Sequence, residues 1–215
     1  MTKVKICGNK SSRDLEIAFK YGADAVGFIV EVPVPTPRKI SREKARELIK
    51  QVPVFINTVL VIMPDNAKEG IEIINATNPD IVQIHNNLPI SELEIIKDSV
   101  SVKIIKTIPI SDTLPLDYIK KNAKVADAIL LDTSVGGRSG GTGITHDWNL
   151  SAEIVQKFKL PIILAGGLNP NNVENAIKVV KPYAVDTASG VETKGVKDEV
   201  KVKEFINKAK CTDIN

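Results

Sequence analysis

What most constrains this 215-residue chain is a strict alternation of short Val/Ile-rich runs with segments of helical period, from one end to the other. The runs are Lys3–Cys7, Asp24–Ile29, Val54–Ile62, Asp80–His85, Val102–Thr107, Asp127–Asp132, Pro161–Ala165 and Tyr183–Asp186. They are continuously apolar more than alternating, as strands buried on both faces of a parallel sheet must be. Between them, Leu15, Ala18 and Phe19 share a helix face behind Ser11, with Asp14 placed to complete a capping box. Ala45, Leu48 and Ile49 follow Ser41 in the same way, and Asp147 opens a helix carrying Leu150, Ile154 and Phe158. Asn169-Pro170 predicts another start, ahead of Val173, Ala176 and Ile177. The fifth helix, between Pro115 and Asn122, is the weakest and amounts to a turn or two.

Eight strand–helix units in 215 residues average about 27 residues each, compact but workable for a (β/α)8 barrel. The expectation is therefore an α/β fold, a single (β/α)8 TIM barrel over residues 1–215 with a short or degenerate fifth helix. An open doubly wound sheet competes, but it would place a Gly-rich phosphate loop after the first strand, and Cys7-Gly8-Asn9-Lys10 is not one. A weak repeat favours the barrel. Ala23-Asp24-Ala25-Val26, Pro79-Asp80-Ile81-Val82 and Ala126-Asp127-Ala128-Ile129 share a small residue, an Asp and an apolar run, and Pro182-Tyr183-Ala184-Val185 matches without the Asp. The spacings of 56, 47 and 56 residues read as two strand–helix units repeated four times. In that frame His85 and Asp132 are equivalent and both sit at the C-terminal rim of a strand, where catalytic groups of such barrels lie.

Composition narrows the function classes. At 43% hydrophobic and 26% charged, with 29 basic against 26 acidic residues, the chain is not disordered. The net charge of +3 is dispersed, without a basic run or aromatic-basic cluster, so no nucleic-acid surface is expected. Val54 to Met63, the longest apolar stretch, is too short to cross a bilayer. Cys7 and Cys211 are too few for a disulfide framework, and no apolar leader opens the chain, so a cytoplasmic protein is expected.

Three Gly-rich loops follow strands: 136–143, Gly166-Gly167 and Ser189-Gly190. They are candidates for a phosphate site, with Gly141, Gly143, Gly166, Gly167, Ser189 and Gly190 supplying backbone N–H groups. Tight turns alone would also account for the glycines. Asp132 ends an Ala-Ile-Leu-Leu strand and faces the first of these loops, a partly dry setting that suits a general acid, or merely a loop cap. Cys7 is either inert packing or a thiol whose thiolate a nearby cation would favour. Arg38, in the stiff Pro35-Thr36-Pro37-Arg38 loop, suits a carboxylate or phosphate, or is a surface residue. His85 and Asp186 either contact substrate or fix neighbouring groups. With His146 the only other histidine, no metal cluster is expected.

Taken together these residues resemble the phosphoribosylanthranilate isomerase family of tryptophan biosynthesis. The resemblance runs through Lys5-Ile6-Cys7-Gly8, Gly22-Ala23-Asp24, Gly27-Phe28, Pro37-Arg38 and Val82-Gln83-Ile84-His85. It continues through Asp132, Gly140-Gly141-Thr142-Gly143, Asp147-Trp148, Leu164-Ala165-Gly166-Gly167-Leu168, Val185-Asp186 and Ser189-Gly190-Val191-Glu192. It implies a cofactor-free, metal-free Amadori rearrangement of N-(5-phosphoribosyl)anthranilate to 1-(2-carboxyphenylamino)-1-deoxyribulose 5-phosphate. It also implies Cys7 as general base, Asp132 as general acid and Arg38 on the anthranilate carboxylate, with His85 and Asp186 also at the substrate and the Gly-rich loops on its phosphate. A homodimer is compatible with the apolar residues on outer helices and loops. The chain departs from the family pattern at Asn86-Asn87, where a glycine usually follows the histidine, and at His146, where an aromatic residue usually stands.

Two rival readings remain at this point. Another phosphosugar barrel enzyme would need catalytic lysine and glutamate on early strands, or two rim histidines around a metal. A non-catalytic barrel that binds a phosphorylated metabolite should have lost Cys7 or Asp132 before its glycines, and both are present.

Overall fold

The computed structural model describes residues 1–110, 116–135, 138–139 and 145–212. The eight apolar runs form strands β1 (Lys3–Ile6), β2 (Ala25–Val30), β3 (Asn57–Ile62), β4 (Ile81–Ile84), β5 (Lys103–Ile110), β6 (Ala128–Val135), β7 (Ile162–Leu164) and β8 (Ala184–Thr187). Each pairs in parallel with the next, and β8 returns to β1, so the sheet closes into a barrel. The helices are α1 (Ser12–Lys20), α2 (Arg42–Ile49), α3 (Ala67–Thr77), α4 (Ile90–Ser99), α5 (Leu116–Asn122), α6 (Trp148–Lys157), α7 (Val173–Val180) and α8 (Glu199–Cys211). The fold is the expected (β/α)8 barrel, and α5, at 7 residues, is its shortest described helix. Beyond β8 a small antiparallel pairing joins Glu192–Thr193 to Val196–Lys197.

Helix starts follow the local chemistry. Ser11 and Asp14 form the reciprocal capping box of α1, Ser41 caps α2 through the Lys44 N–H, and Asp147 caps α6. One start lies elsewhere than expected. Asn169 accepts from the Asn171 N–H while its own N–H goes to Asn172 Oδ1. That turn occupies the proline, and α7 begins only after Asn172. A second correction concerns Val54 and Phe55, read above as strand. They lie before β3 with exposures of 81% and 98%.

The repeated Asp has a structural cause. Asp24 Oδ2 accepts the Val4 N–H at 2.9 Å, Asp80 Oδ2 the Thr58 N–H at 2.8 Å, and Asp127 Oδ2 the Ile104 N–H at 2.8 Å. Each carboxylate thus closes the foot of an even strand onto the odd strand before it, satisfying a backbone donor at the barrel's lower end. β8 has no such Asp and keeps only the backbone bond, Tyr183 N–H to Ile162 O, that Asp24 N–H and Asp127 N–H also make to Val4 O and Ile104 O.

Apolar side chains divide into two layers. A large cluster packs the outward strand faces against the helices, built on Ile6, Phe28, Leu60, Ile84, Ile129 and Phe205 among others. A smaller one, of Val59, Ile105, Leu130, Ile163, Ala165 and Ala184, fills the barrel interior. Alternation along each strand then puts Lys5, Gln83, Thr107 and Asp186 on the inward faces above that floor.

Candidate active site

The polar groups above the floor form one connected chain across the barrel. Lys5 Nζ donates to Gln83 Oε1 at 2.9 Å and to Asp186 Oδ2 at 3.0 Å. With its oxygen fixed on Lys5, the Gln83 amide turns its nitrogen to Thr107 Oγ1 at 3.1 Å and to His85 Nδ1 at 3.0 Å. His85 Nδ1 must therefore accept, which leaves the ring proton on Nε2. That nitrogen lies 3.4 Å from Asp132 Oδ2. Burial, reinforced by the Lys5 and Lys106 charges, holds the His85 imidazolium down to about 4, so the ring is neutral at physiological pH.

Cys7 follows β1 directly and is 5% exposed, while Asp132 near the end of β6 is 4% exposed. Burial pushes the Cys7 thiol up, and Lys5 pulls against it, aided by Lys197. Lys5 shows the opposite balance: burial disfavours its ammonium, yet Asp186 and Cys7 hold it above the ordinary lysine range. Asp186 Oδ1 is buried without a hydrogen-bond partner among the described residues. A buried acceptor left open at the mouth of a barrel is suited to a donor from a ligand.

Of the two alternatives for Arg38, the plain surface residue does not hold, because its guanidinium is paired and largely buried. Its Nε and Nη2 grip both oxygens of Glu192, and Lys197 Nζ reaches Glu192 Oε1 at 2.8 Å. Arg38 and Lys197 together hold the Glu192 carboxyl low against the upward push of burial. The Arg38 stem lies over Gly8, where a Cβ would come within 2.7 Å of its Cδ, so this cation sits one residue beyond Cys7.

Of the predicted phosphate residues, Gly166, Gly167, Ser189 and Gly190 follow β7 and β8 on the same rim as Cys7 and Asp132; Gly141 and Gly143 lie outside the described residues. Gly166 has φ +86, and a Cβ there would stand 2.2 Å from Thr133 Oγ1. At Gly190 a Cβ would meet Leu168 O at 1.9 Å. Close backbone approach explains both glycines without a ligand. His146, the departure noted above, is half-buried between Thr133 Oγ1 at 2.9 Å and Ser151 Oγ at 2.6 Å, and so ties the start of α6 to β6. Among the described residues, no group of three or more His, Cys, Asp or Glu is placed to hold a metal.

Cys7, His85, Asp132 and Asp186 thus share the barrel mouth, with Arg38 at its edge. Lys5, Gln83, Glu192 and Lys197 were not singled out from the residue pattern. The signal for Lys5 was available: it stands two residues before Cys7 in the first strand, a spacing that puts both on one face.

Residues 4–208 match the family described as N-(5'-phosphoribosyl)anthranilate (PRA) isomerase. The N-(5'-phosphoribosyl)anthranilate isomerase of Methanosarcina acetivorans is 48% identical over 98% of this chain and 94% of its own. A phosphoribosyl anthranilate isomerase solved with reduced 1-(o-carboxyphenylamino)-1-deoxyribulose 5-phosphate superposes with a TM-score of 0.83 at 34% identity, covering 98% of this chain and 99% of that one. A structure of monomers of the dimeric phosphoribosylanthranilate isomerase of Thermotoga maritima gives a TM-score of 0.80 at 33% identity, over 98% and 99% of the two chains.

Proposed function

This chain belongs to the phosphoribosylanthranilate isomerase family, and on that premise we propose that Cys7 and Asp132 divide the acid–base work of the reaction. The activity is the isomerisation of N-(5-phosphoribosyl)anthranilate to 1-(2-carboxyphenylamino)-1-deoxyribulose 5-phosphate in tryptophan biosynthesis. Every step is a proton transfer within one substrate. Asp132, protonated, gives its proton to the ribose ring oxygen; the C1–O bond breaks and the nitrogen lone pair forms the Schiff base. Cys7, as thiolate, takes the proton from carbon 2, and the C–H electrons flow toward nitrogen to give an enolamine. Loss of the hydroxyl proton at carbon 2 and protonation at carbon 1 then leave the ketone.

The surrounding groups fit these roles. The neutral His85, with its proton on Nε2, faces the Asp132 carboxylate that remains after the first transfer. Asp186 Oδ1 is free to accept a sugar hydroxyl. Arg38 takes the anthranilate carboxylate on the guanidinium edge that Glu192 leaves open. Gly166, Gly167, Ser189 and Gly190, with Gly141 and Gly143, bind the phosphate. The observation that carries the reading is the convergence of buried Cys7 and Asp132 at one barrel mouth through the Lys5–Gln83–His85 chain.

The test is the steady-state loss of anthranilate-type fluorescence from fresh phosphoribosylanthranilate. Cys7→Ala and Asp132→Asn should each lower kcat by ~10²–10⁴ while product-analogue affinity stays within a few-fold. Full activity in either variant removes that residue from its role. We propose further that the chain forms a homodimer. The support is an apolar tip between α2 and β3, where Val54 and Phe55 stand 81% and 98% exposed and Phe55 holds the strained φ of +77. A cytoplasmic location is proposed as well, in keeping with two unpaired cysteines.

A further inference from the structure

The proposed base is a thiol buried where its anion is disfavoured, and something nearby must offset that cost. Lys5 and Cys7 project from the same face of the first strand, two residues apart. Lys5 is 3% exposed, and its ammonium carries three N–H donors. One goes to Gln83 Oε1 and one to Asp186 Oδ2, and the ammonium charge also favours the anion of the Cys7 sulfur. The neighbouring strand leaves room for the two side chains to lie together. At Gly27 of β2 a Cβ would stand 2.6 Å from Cys7 Sγ and 3.1 Å from Lys5 Cε, so any side chain would drive the two apart.

We infer that Lys5 is a positioning residue that keeps Cys7 available as a thiolate, its ammonium serving as the counter-charge from one layer below the substrate. The inference rests on the proposed role of Cys7 as base. The charged groups facing the sulfur are Lys5 from β1, Asp186 from β8 and Lys197 from the pairing beyond β8. Lys197 donates to Ala188 O and to Glu192, whose charge it shares with Arg38. Asp186 acts in the opposite sense, since it draws on the same ammonium and repels the thiolate. Lys5 is therefore the cation on the sulfur's own strand face, packed with it against Gly27, and Asp186 sets how much of its charge the sulfur receives.

The test is the pH dependence of Cys7 alkylation by iodoacetamide, in a Cys211→Ser background that removes the exposed thiol. Lys5→Met should move the midpoint up by about one pH unit or more, and Asp186→Asn should move it down. Opposite shifts are a signature that loss of packing would not produce. Because Lys5→Met strands a buried carboxylate and can unfold, Lys5→Met/Asp186→Asn is compared with Asp186→Asn alone, and the double variant should have the higher midpoint. Equal midpoints in that pair, or shifts of the same sign in the two single variants, overturn the inference. The acid limb of the kcat profile separates it from the role of Cys7 as base. If alkylation midpoints move and the limb does not, the tuning by Lys5 stands and the base is another group.

Discussion

Arg38 and Glu192 meet through two parallel hydrogen bonds, Nε to Oε1 at 2.9 Å and Nη2 to Oε2 at 2.6 Å, joining the loop after β2 to the segment after β8. Both side chains are largely buried, at 14% and 5% exposed. The pair therefore holds the guanidinium in one orientation, with its Nη1 side left for a second planar anion. Glu192→Gln removes the charge that fixes this orientation and should raise KM about tenfold, with kcat changing much less. Arg38→Lys keeps the charge but loses the fork, and should raise KM by about 10–100-fold. Steady-state kinetics on both variants checks this, and an unchanged KM in Arg38→Lys would remove Arg38 from substrate binding.

His85 makes stability depend on acidity. Its folded value of about 4 lies below the ordinary histidine value of 6.5. The unfolded chain therefore binds the extra proton first, and stability is lost as pH falls from about 6.5 through about 4. The difference corresponds to a loss on the order of 3 kcal/mol from this one largely buried ring. Urea titrations at pH 7 and pH 4.5 should show a smaller drop for His85→Gln than for the parent. An equal drop would place the acid sensitivity elsewhere, with His146 the next candidate because burial also holds it down to about 4.

The barrel was legible because strands and helices alternate with different periods, and the two periods survive any detail of packing. The repeat was legible for a narrower reason: Asp24, Asp80 and Asp127 each satisfy one backbone N–H at the same place in the fold. The start of β3 was misread because Val54 and Phe55 are as apolar as a buried strand, and composition does not distinguish a core from an exposed apolar tip. Lys5 and Glu192 escaped notice as working residues because their roles depend on partners far away in sequence. Lys5 meets Asp186 after 181 residues, and Glu192 meets Arg38 after 154.

Phe55 supplies the test of the homodimer. A nearly fully exposed aromatic in a left-handed conformation is costly unless another surface covers it. Phe55→Ser should convert the dimer to monomer in sedimentation equilibrium while leaving kcat per chain within about twofold. A monomeric parent at micromolar concentration would overturn the assignment, and a dimeric variant would move the interface elsewhere.

The Asp clamps predict a separation of stability from catalysis. Asp80 Oδ2 accepts from both the N–H and the hydroxyl of Thr58, at 2.8 and 2.7 Å, and the Asp80 N–H returns to that hydroxyl at 2.8 Å. Thr58 is 4% exposed, so its N–H has little access to water once the carboxylate is gone. Asp80→Ala should lower stability by about 1–2 kcal/mol, read as a lower urea midpoint at unchanged slope. These bonds lie at the feet of β3 and β4, whereas His85 and Asp132 lie at the opposite ends of their strands. In such barrels the lower end carries stability and the upper end chemistry. Accordingly kcat and KM should match the parent at temperatures where the variant remains folded. A loss of kcat without a lower midpoint would mean that the clamp reaches the active site through the strands, contrary to this division.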